Sequence, residues 1–141
     1  MSVKIVGFWE RGWDTPWQEF NWWIHPIKEF GVTEFYMSPV TGIDKAAVNE
    51  YSDLNDVIAQ ADADGATCVY LDESATDELP DFVHPENAVY IVGRTSYSPY
   101  ATNFRPGVDR AVKIPSITNS GGFWGHQAVT MVLYDRYLKG L

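Results

Sequence analysis

Four cations, Arg94, Arg105, Arg110 and Lys113, stand just before or at the start of a segment rich in small polar residues. That segment opens "KIPSITNSGGFWGHQAVTMVLYDRY", Lys113 to Tyr137. Guanidinium and ammonium groups are donors suited to an anion, and the Ser, Thr, Asn and Gly residues add hydroxyls, an amide and unobstructed backbone. Two readings of the segment stay open on residue types alone: an ordinary strand-to-helix turn, or a loop shaped to hold a ligand. The same holds for Gly93, Gly121 and Gly122, which either let main-chain groups approach a ligand or permit turns and a helix start. Asp72 and Glu73 close an apolar run, where an acid either faces a ligand or sits solvated in a loop. Cys68 is the single cysteine and lies inside "TCVYL", so no internal disulfide forms. One cysteine and three scattered histidines give no zinc-site spacing, and no metal is expected.

These groups must be positioned by strands and helices that alternate. "VKIVGFW" (Val3–Trp9) reads as a buried strand. Asp14 or Thr15 would cap a helix that carries Trp17, Phe20, Trp23, Ile24 and Ile27 near helical spacing, stopped by Gly31 and kinked or split at Pro26. "VTEFYMSP" is a second strand closed by Pro39, and an irregular or partly helical connection follows it. A short helix runs from the cap Asp53 to the stop Gly65. "ATCVYLDE" and "NAVYIVG" are continuous apolar runs, as in a parallel sheet covered on both faces. A long polar loop, "RTSYSPYATNFRPGVD", leads to a short strand "RAVKIP", and a final helix spans about Gly122 to Lys139. The pattern predicts one α/β domain over residues 1–141, with a mostly parallel sheet and helices on both faces. Ligands in such sheets sit beyond the carboxyl ends of the strands, here Leu71–Glu73, Val92–Arg94 and Pro115–Ser116.

The composition, 45% hydrophobic and 21% charged over 141 residues, is that of a globular chain. No run of about 18 apolar residues offers a membrane span, and "MSVKIVGFWE" does not read as a signal peptide. An intracellular, cytoplasmic setting is expected. The net charge of −9 argues against general nucleic-acid binding by bulk charge. The charge is unevenly spread, with 4 Lys/Arg against 17 Asp/Glu over residues 1–86 and 6 against 2 over residues 87–141. The basic portion either meets an anionic partner locally or is a chance cluster beside a solvated acidic face.

Read in order, "HPENAVYIVG", "VDRAVKIP", the Ser/Asn/Gly loop and "AVTMVLYDR" resemble the C-terminal motifs of the SPOUT methyltransferases, nearest to the RNA ribose 2′-O-methyltransferase-like branch. The resemblance covers roughly residues 80–139. It implies a C-terminal deep trefoil knot and S-adenosylmethionine bound in a bent form, mostly by backbone groups. The residues that match the cofactor loops are Tyr70, Leu71, Val92, Gly93, Ile114, Ser116, Gly121, Gly122 and Phe123. It also implies methylation of RNA (tRNA or rRNA). A homodimer through the last helix and the Trp-rich first helix, with Trp17, Trp22 and Trp23, is expected on the same ground.

The departures from the family fall on the catalytic side. No arginine lies within the first helix. The expected position falls near His25, and Arg11 is the only arginine before it. "GRTSYS" replaces a Glu-containing turn, and Gly122-Phe123-Trp124 replaces a Ser-Leu-Asn run. Methyl transfer from a sulfonium needs an aligned nucleophile and often removal of a proton. The catalytic candidates for this are Arg94, Arg105 and His25, with His126 a further polar group. Asn119 and Ser120 either position substrate or cap the last helix. Three functions follow: an RNA methyltransferase, a catalytically inactive knotted S-adenosylmethionine-binding or interaction module, and an unknotted flavodoxin-like nucleotide binder.

Overall fold

The apolar runs all enter one parallel sheet, and their order in it differs from their order in the chain. The computed structural model describes residues 1–9, 16–38, 48–94 and 97–141. The expected cap at Asp14 or Thr15, the closure at Pro39, most of the connection after it, and Arg11 lie outside the described residues. The elements are β1 (Val3–Phe8), α1 (Pro16–Glu29), β2 (Glu34–Ser38), β3 (Asn49–Glu50), α2 (Leu54–Ala63), β4 (Thr67–Leu71), β5 (Ala88–Val92), α3 (Pro99–Asn103), β6 (Arg110–Val112) and α4 (Gly125–Leu138). The six strands run in the order β3-β2-β1-β5-β4-β6. Every pairing is parallel, with Ile5 opposite Tyr90 and Val69 opposite Tyr90 on its other side. The chain crosses from the β3 edge to β4 before β5 fills the gap beside β1. This reversal of strand order is where α/β sheets open a ligand crevice.

Two apolar layers cover the sheet. On one face Ile5, Tyr90, Val69 and Val112 pack with Phe20, Trp23 and Ile27 of α1 and Val129, Val132 and Leu133 of α4. On the other, Val6, Cys68, Tyr70, Val89 and Ile91 pack with Leu54, Val57, Ile58 and Ala61 of α2, and with Tyr100 and Phe104 around α3. β5 (AVYIV) is buried throughout, which explains its lack of alternation. Burial pushes the Cys68 thiol up to about 11, so it is a packing residue rather than a nucleophile.

Local signals account for the helix ends. Asp53 accepts from the Asn55 N–H at 2.9 Å and starts α2. At both expected glycine stops the chain closes in the same way, Val32 N–H onto the Ile27 carbonyl (3.1 Å) and Ala66 N–H onto that of Ala61 (2.9 Å). α1 runs through Pro26 without splitting. One missing N–H is outweighed there by burial of Phe20, Trp23 and Ile27. Trp23 is 1% exposed and lies against β1, where a Cβ on Gly7 would come within 2.6 Å of the indole.

Four expectations shift. The strand "RAVKIP" ends at Val112, because Lys113 turns to pair with the segment before β5: Lys113 N–H donates to Asp77 and Leu79 N–H to the Lys113 carbonyl. α4 begins at Gly125 instead of about Gly122, since Trp124 is extended (φ −69°, ψ 158°) and forms the N-cap. The long polar loop holds the five-residue α3, capped by Ser98 onto the Ala101 N–H. β3, only two residues long, carries no readable period.

Candidate functional site

The carboxyl ends of β4, β5 and β6 and the amino end of α4 enclose a cleft of about 500 Å³. Its floor is apolar, from Leu71, Val92, Val112, Ile114 and Ala128. Its rim holds Asp72, Glu73, Arg94, Tyr97 and Ser98, together with Gly121, Gly122, Phe123 and Trp124. Volume and composition suit a drug-sized organic ligand.

Small residues make the cleft possible. After β5, Arg94 and Tyr97 exchange backbone hydrogen bonds of 3.1 and 3.0 Å. This folds the chain back so closely that a Cβ on Gly93 would lie 2.2 Å from the Tyr97 carbonyl oxygen. In the loop before α4, a Cβ on Gly121 would lie 2.6 Å from the Glu73 side chain, and its φ of 69° already disfavours any other residue. Gly125 lets α4 approach Trp23 and the Gly93 carbonyl, which a Cβ there would meet at 2.9 and 3.4 Å.

Hydrogen bonds hold the rim in place. Asp72 accepts from the Ser98 hydroxyl at 2.6 Å and the Ser74 N–H at 2.9 Å, tying the loop after β5 to the end of β4. In the loop after β6, the Asn119 side-chain oxygen accepts from Ser116 N–H (3.1 Å), and Ser116 Oγ accepts from Asn119 N–H (3.0 Å). Asn119 therefore pins the loop and does not cap α4. That role falls to Gln127, whose side chain accepts from the Trp124 N–H at 2.9 Å.

Seven of the expected cofactor residues line this one cleft: Leu71, Val92, Gly93, Ile114, Gly121, Gly122 and Phe123. Tyr70 and Ser116 do not. Side chains alternate along β4, so Tyr70 turns to the α2/α3 face, its ring centroid 6.0 Å from that of Phe104. Ser116 is engaged with Asn119. Of the catalytic candidates only Arg94 lines the cleft. His25 is exposed on α1. Arg105 pairs with Asp62 of α2 (2.7 Å) and with the buried Asp109 (2.7 Å), and these two carboxylates raise its pKa further. The cationic cluster of the sequence is thus dispersed: Arg110 reaches Asp77 and stacks 4.7 Å over Phe82, and Lys113 faces Glu78.

Two features had no clear sequence signal. Trp22, Trp124 and His126 form an aromatic group at the cleft's edge, with centroid separations of 6.2, 5.0 and 5.7 Å, joining α1 to the start of α4. At the far end of α4 a buried polar network closes on the segment before β5. His84 bridges the Tyr90 hydroxyl and Asp135 at 2.7 Å each. Arg136 donates to the carbonyls of Pro85 and Glu86 and to the Tyr90 hydroxyl. Burial lowers the His84 pKa against the opposing pull of Asp135.

No protein-family model matches the chain, and no curated protein matches it in sequence. The fold has well-matched solved counterparts. The SpoU methyltransferase AviRb from Streptomyces viridochromogenes superposes with a TM-score of 0.77 at 13% identity, over 98% of this chain and 59% of that one. The same enzyme in complex with the cofactor AdoMet gives 0.75 at 13% identity, over 99% of this chain and 58% of that one. A TrmH/SpoU tRNA modifying enzyme from A. aeolicus gives 0.72 at 14%, over 99% and 76%. A protein solved in a study of 2-OH methylation of C/U34 on tRNA gives 0.74 at 13%, over 99% and 98%. The chain therefore has the fold of the SpoU methyltransferases. It spans about three fifths of the length of AviRb.

Proposed function

We propose that this protein is a single-domain, S-adenosylmethionine-dependent methyltransferase of the SPOUT type that acts on RNA. The observation that carries the reading is the cleft itself, placed at the carboxyl ends of β4, β5 and β6 and lined by the glycine-bearing loops that the motifs mark. The cradle fits a nucleoside cofactor: Gly93 and Gly121 let the loops that line the cleft pack closely against Tyr97 and Glu73, and the apolar lining of Leu71, Val92 and Ile114 suits an adenine. Backbone groups of residues 71–73, 92–94 and 114–123 would hold it. When bound, S-adenosylmethionine supplies an electrophilic methyl group. The chain's part is to orient the acceptor in line, to exclude water with Phe123 and Trp124, and to place Arg94 by the reacting groups. A deep trefoil knot in the C-terminal segment belongs to this reading, as does a cytoplasmic location.

The reading includes a homodimer through α1 and α4. Trp17 is 53% exposed, and α4 leaves Tyr134, Tyr137 and Leu138 open on the side away from the core. Trp23 takes no part, being buried in the core. One observation favours the catalytically inactive alternative: two of three catalytic candidates, Arg105 and His25, lie outside the cleft. Two measurements separate these outcomes. Isothermal titration with S-adenosylmethionine should give saturable heat; silence at millimolar ligand, with S-adenosylhomocysteine also silent, would sink both versions. Labelled methyl transfer to total RNA should then be detectable, and binding without transfer to any RNA or lysate fraction would select the inactive module.

A further inference from the structure

The cleft contains one cation, and nothing in the described part of the protein neutralises it. The other three described arginines are all engaged: Arg105 by Asp62 and Asp109, Arg110 by Asp77, and Arg136 by two carbonyls and a hydroxyl. Among the described residues Arg94 makes one side-chain hydrogen bond, a long one of 3.4 Å from Nη1 to the Trp9 carbonyl, just beyond β1. Its Nε is buried and has no hydrogen-bond partner among the described residues, and no carboxylate there lies within ion-pair distance. A half-buried guanidinium in this state is costly, because the donors lost from water are not replaced. The cost is removed when an oxyanion enters, since carboxylate and phosphate oxygens match the guanidinium fork.

The rest of the rim leaves Arg94 available for that role. Asp72 has both of its oxygens engaged, by the Ser98 hydroxyl and the Ser74 N–H. The exposed Glu73 lies over Gly121. The backbone of Arg94 is fixed by its pair of hydrogen bonds with Tyr97, directly beyond β5.

We infer that Arg94 is the oxyanion anchor of the cleft, pairing with a carboxylate or phosphate oxygen of the bound ligand. The inference rests on the methyltransferase reading only for where that oxygen comes from. Two sources share the chemistry, the carboxylate of the cofactor's methionyl part and a phosphate of the RNA.

The test follows the Arg94 Nε–H resonance of the full chain by NMR, assigned by its loss in Arg94→Lys. Inorganic phosphate, S-adenosylmethionine, its decarboxylated analogue and a short oligoribonucleotide are added in turn. A saturable shift with S-adenosylmethionine but not with the decarboxylated analogue identifies the carboxylate. A shift with inorganic phosphate and the oligoribonucleotide, but not with S-adenosylmethionine, identifies a phosphate. In either case Arg94→Gln should weaken that ligand by about ten- to a hundredfold, the range for a charge-assisted contact. If phosphate moves the resonance while S-adenosylmethionine does not bind, the anchor stands and the cofactor reading falls. If S-adenosylmethionine binds the wild type and none of the four probes moves the resonance, the anchor is overturned and the cofactor reading stands. Wild-type affinity for every probe in Arg94→Gln would overturn it as well.

Discussion

β5 and α4 meet at both of their ends, and the two junctions are built in opposite ways. Where the amino end of β5 meets the carboxyl end of α4, the polar groups are buried and paired. His84 uses both ring nitrogens, Arg136 reaches two carbonyls and the Tyr90 hydroxyl, and Lys139 donates to the carbonyls of Leu79 and Phe82. Where the carboxyl end of β5 meets the amino end of α4, side chains give way to glycines and a cleft, and a guanidinium has one weak hydrogen bond among the described residues. A closed junction contributes stability, and an open one leaves polar groups and space for a ligand. The same two elements supply a fastening and a site.

This contrast can be broken most forcefully at the closed end. Arg136 is 3% exposed, and Arg136→Ala would take the side-chain donor from the carbonyls of Pro85 and Glu86 and one of the two partners from the Tyr90 hydroxyl. A loss of about 3–5 kcal/mol is expected in urea unfolding; a loss under about 1 kcal/mol would mean that the network holds little. Arg105→Gln serves as a reference away from both ends. It removes the partner of the buried Asp109 carboxylate and should cost about 1–3 kcal/mol. Cofactor affinity should be unchanged, and a selective loss of binding or transfer would return Arg105 to the site.

At the open end, Gly121→Ala forces a Cβ against Glu73 at φ 69°. It should cost only about 1–2 kcal/mol of stability. Affinity for S-adenosylmethionine should fall by about tenfold or more, because the loop that lines the cleft must move. Equal affinity in the variant would show that this loop is not part of the binding surface.

The smallest effect expected is with pH. Burial holds the folded His84 pKa below its ordinary 6.5, so the folded protein binds fewer protons there than the unfolded chain. The contribution is full above pH 6.5 and is lost as pH falls through the lowered folded value. Urea midpoints should therefore drop from about pH 7.5 to about pH 5.5, and His84→Gln should flatten that dependence. A midpoint that rises on acidification would mean that Asp135 outweighs burial.

The two junctions also explain what was legible in the sequence. Buried strands with continuous apolar runs and helices with caps and glycine stops could be read directly, because each signal is local. The motifs "HPENAVYIVG" and "AVTMVLYDR" marked the right region, yet each divides in space. His84, Tyr90, Asp135 and Arg136 form the fastening, while Val92, Gly93 and Ala128 line the cleft. Adjacent residues in sequence can face opposite ends of a helix or opposite faces of a sheet. This is why Tyr70 reads as part of a cofactor loop but packs on the α2/α3 side. The cation cluster misleads for a related reason: Arg105, Arg110 and Lys113 find their carboxylates on α2 and before β5, pairings fixed only by tertiary contact. Trp22 and Trp23 are neighbours in sequence, and a turn of about 100° between them places one against Trp124 and the other in the core.

The measurement that bears most directly on the site is a crystal structure of the protein with S-adenosylmethionine. The adenosine should lie between residues 71–73, 92–94 and 114–123, in van der Waals contact with Leu71, Val92 and Ile114 and passing Gly93 and Gly121. The same structure would show whether the C-terminal segment is knotted, whether α1 and α4 pair between two copies, and which groups lie nearest the methyl. A ligand found elsewhere on the protein, or an empty cleft at millimolar S-adenosylmethionine, would contradict the account.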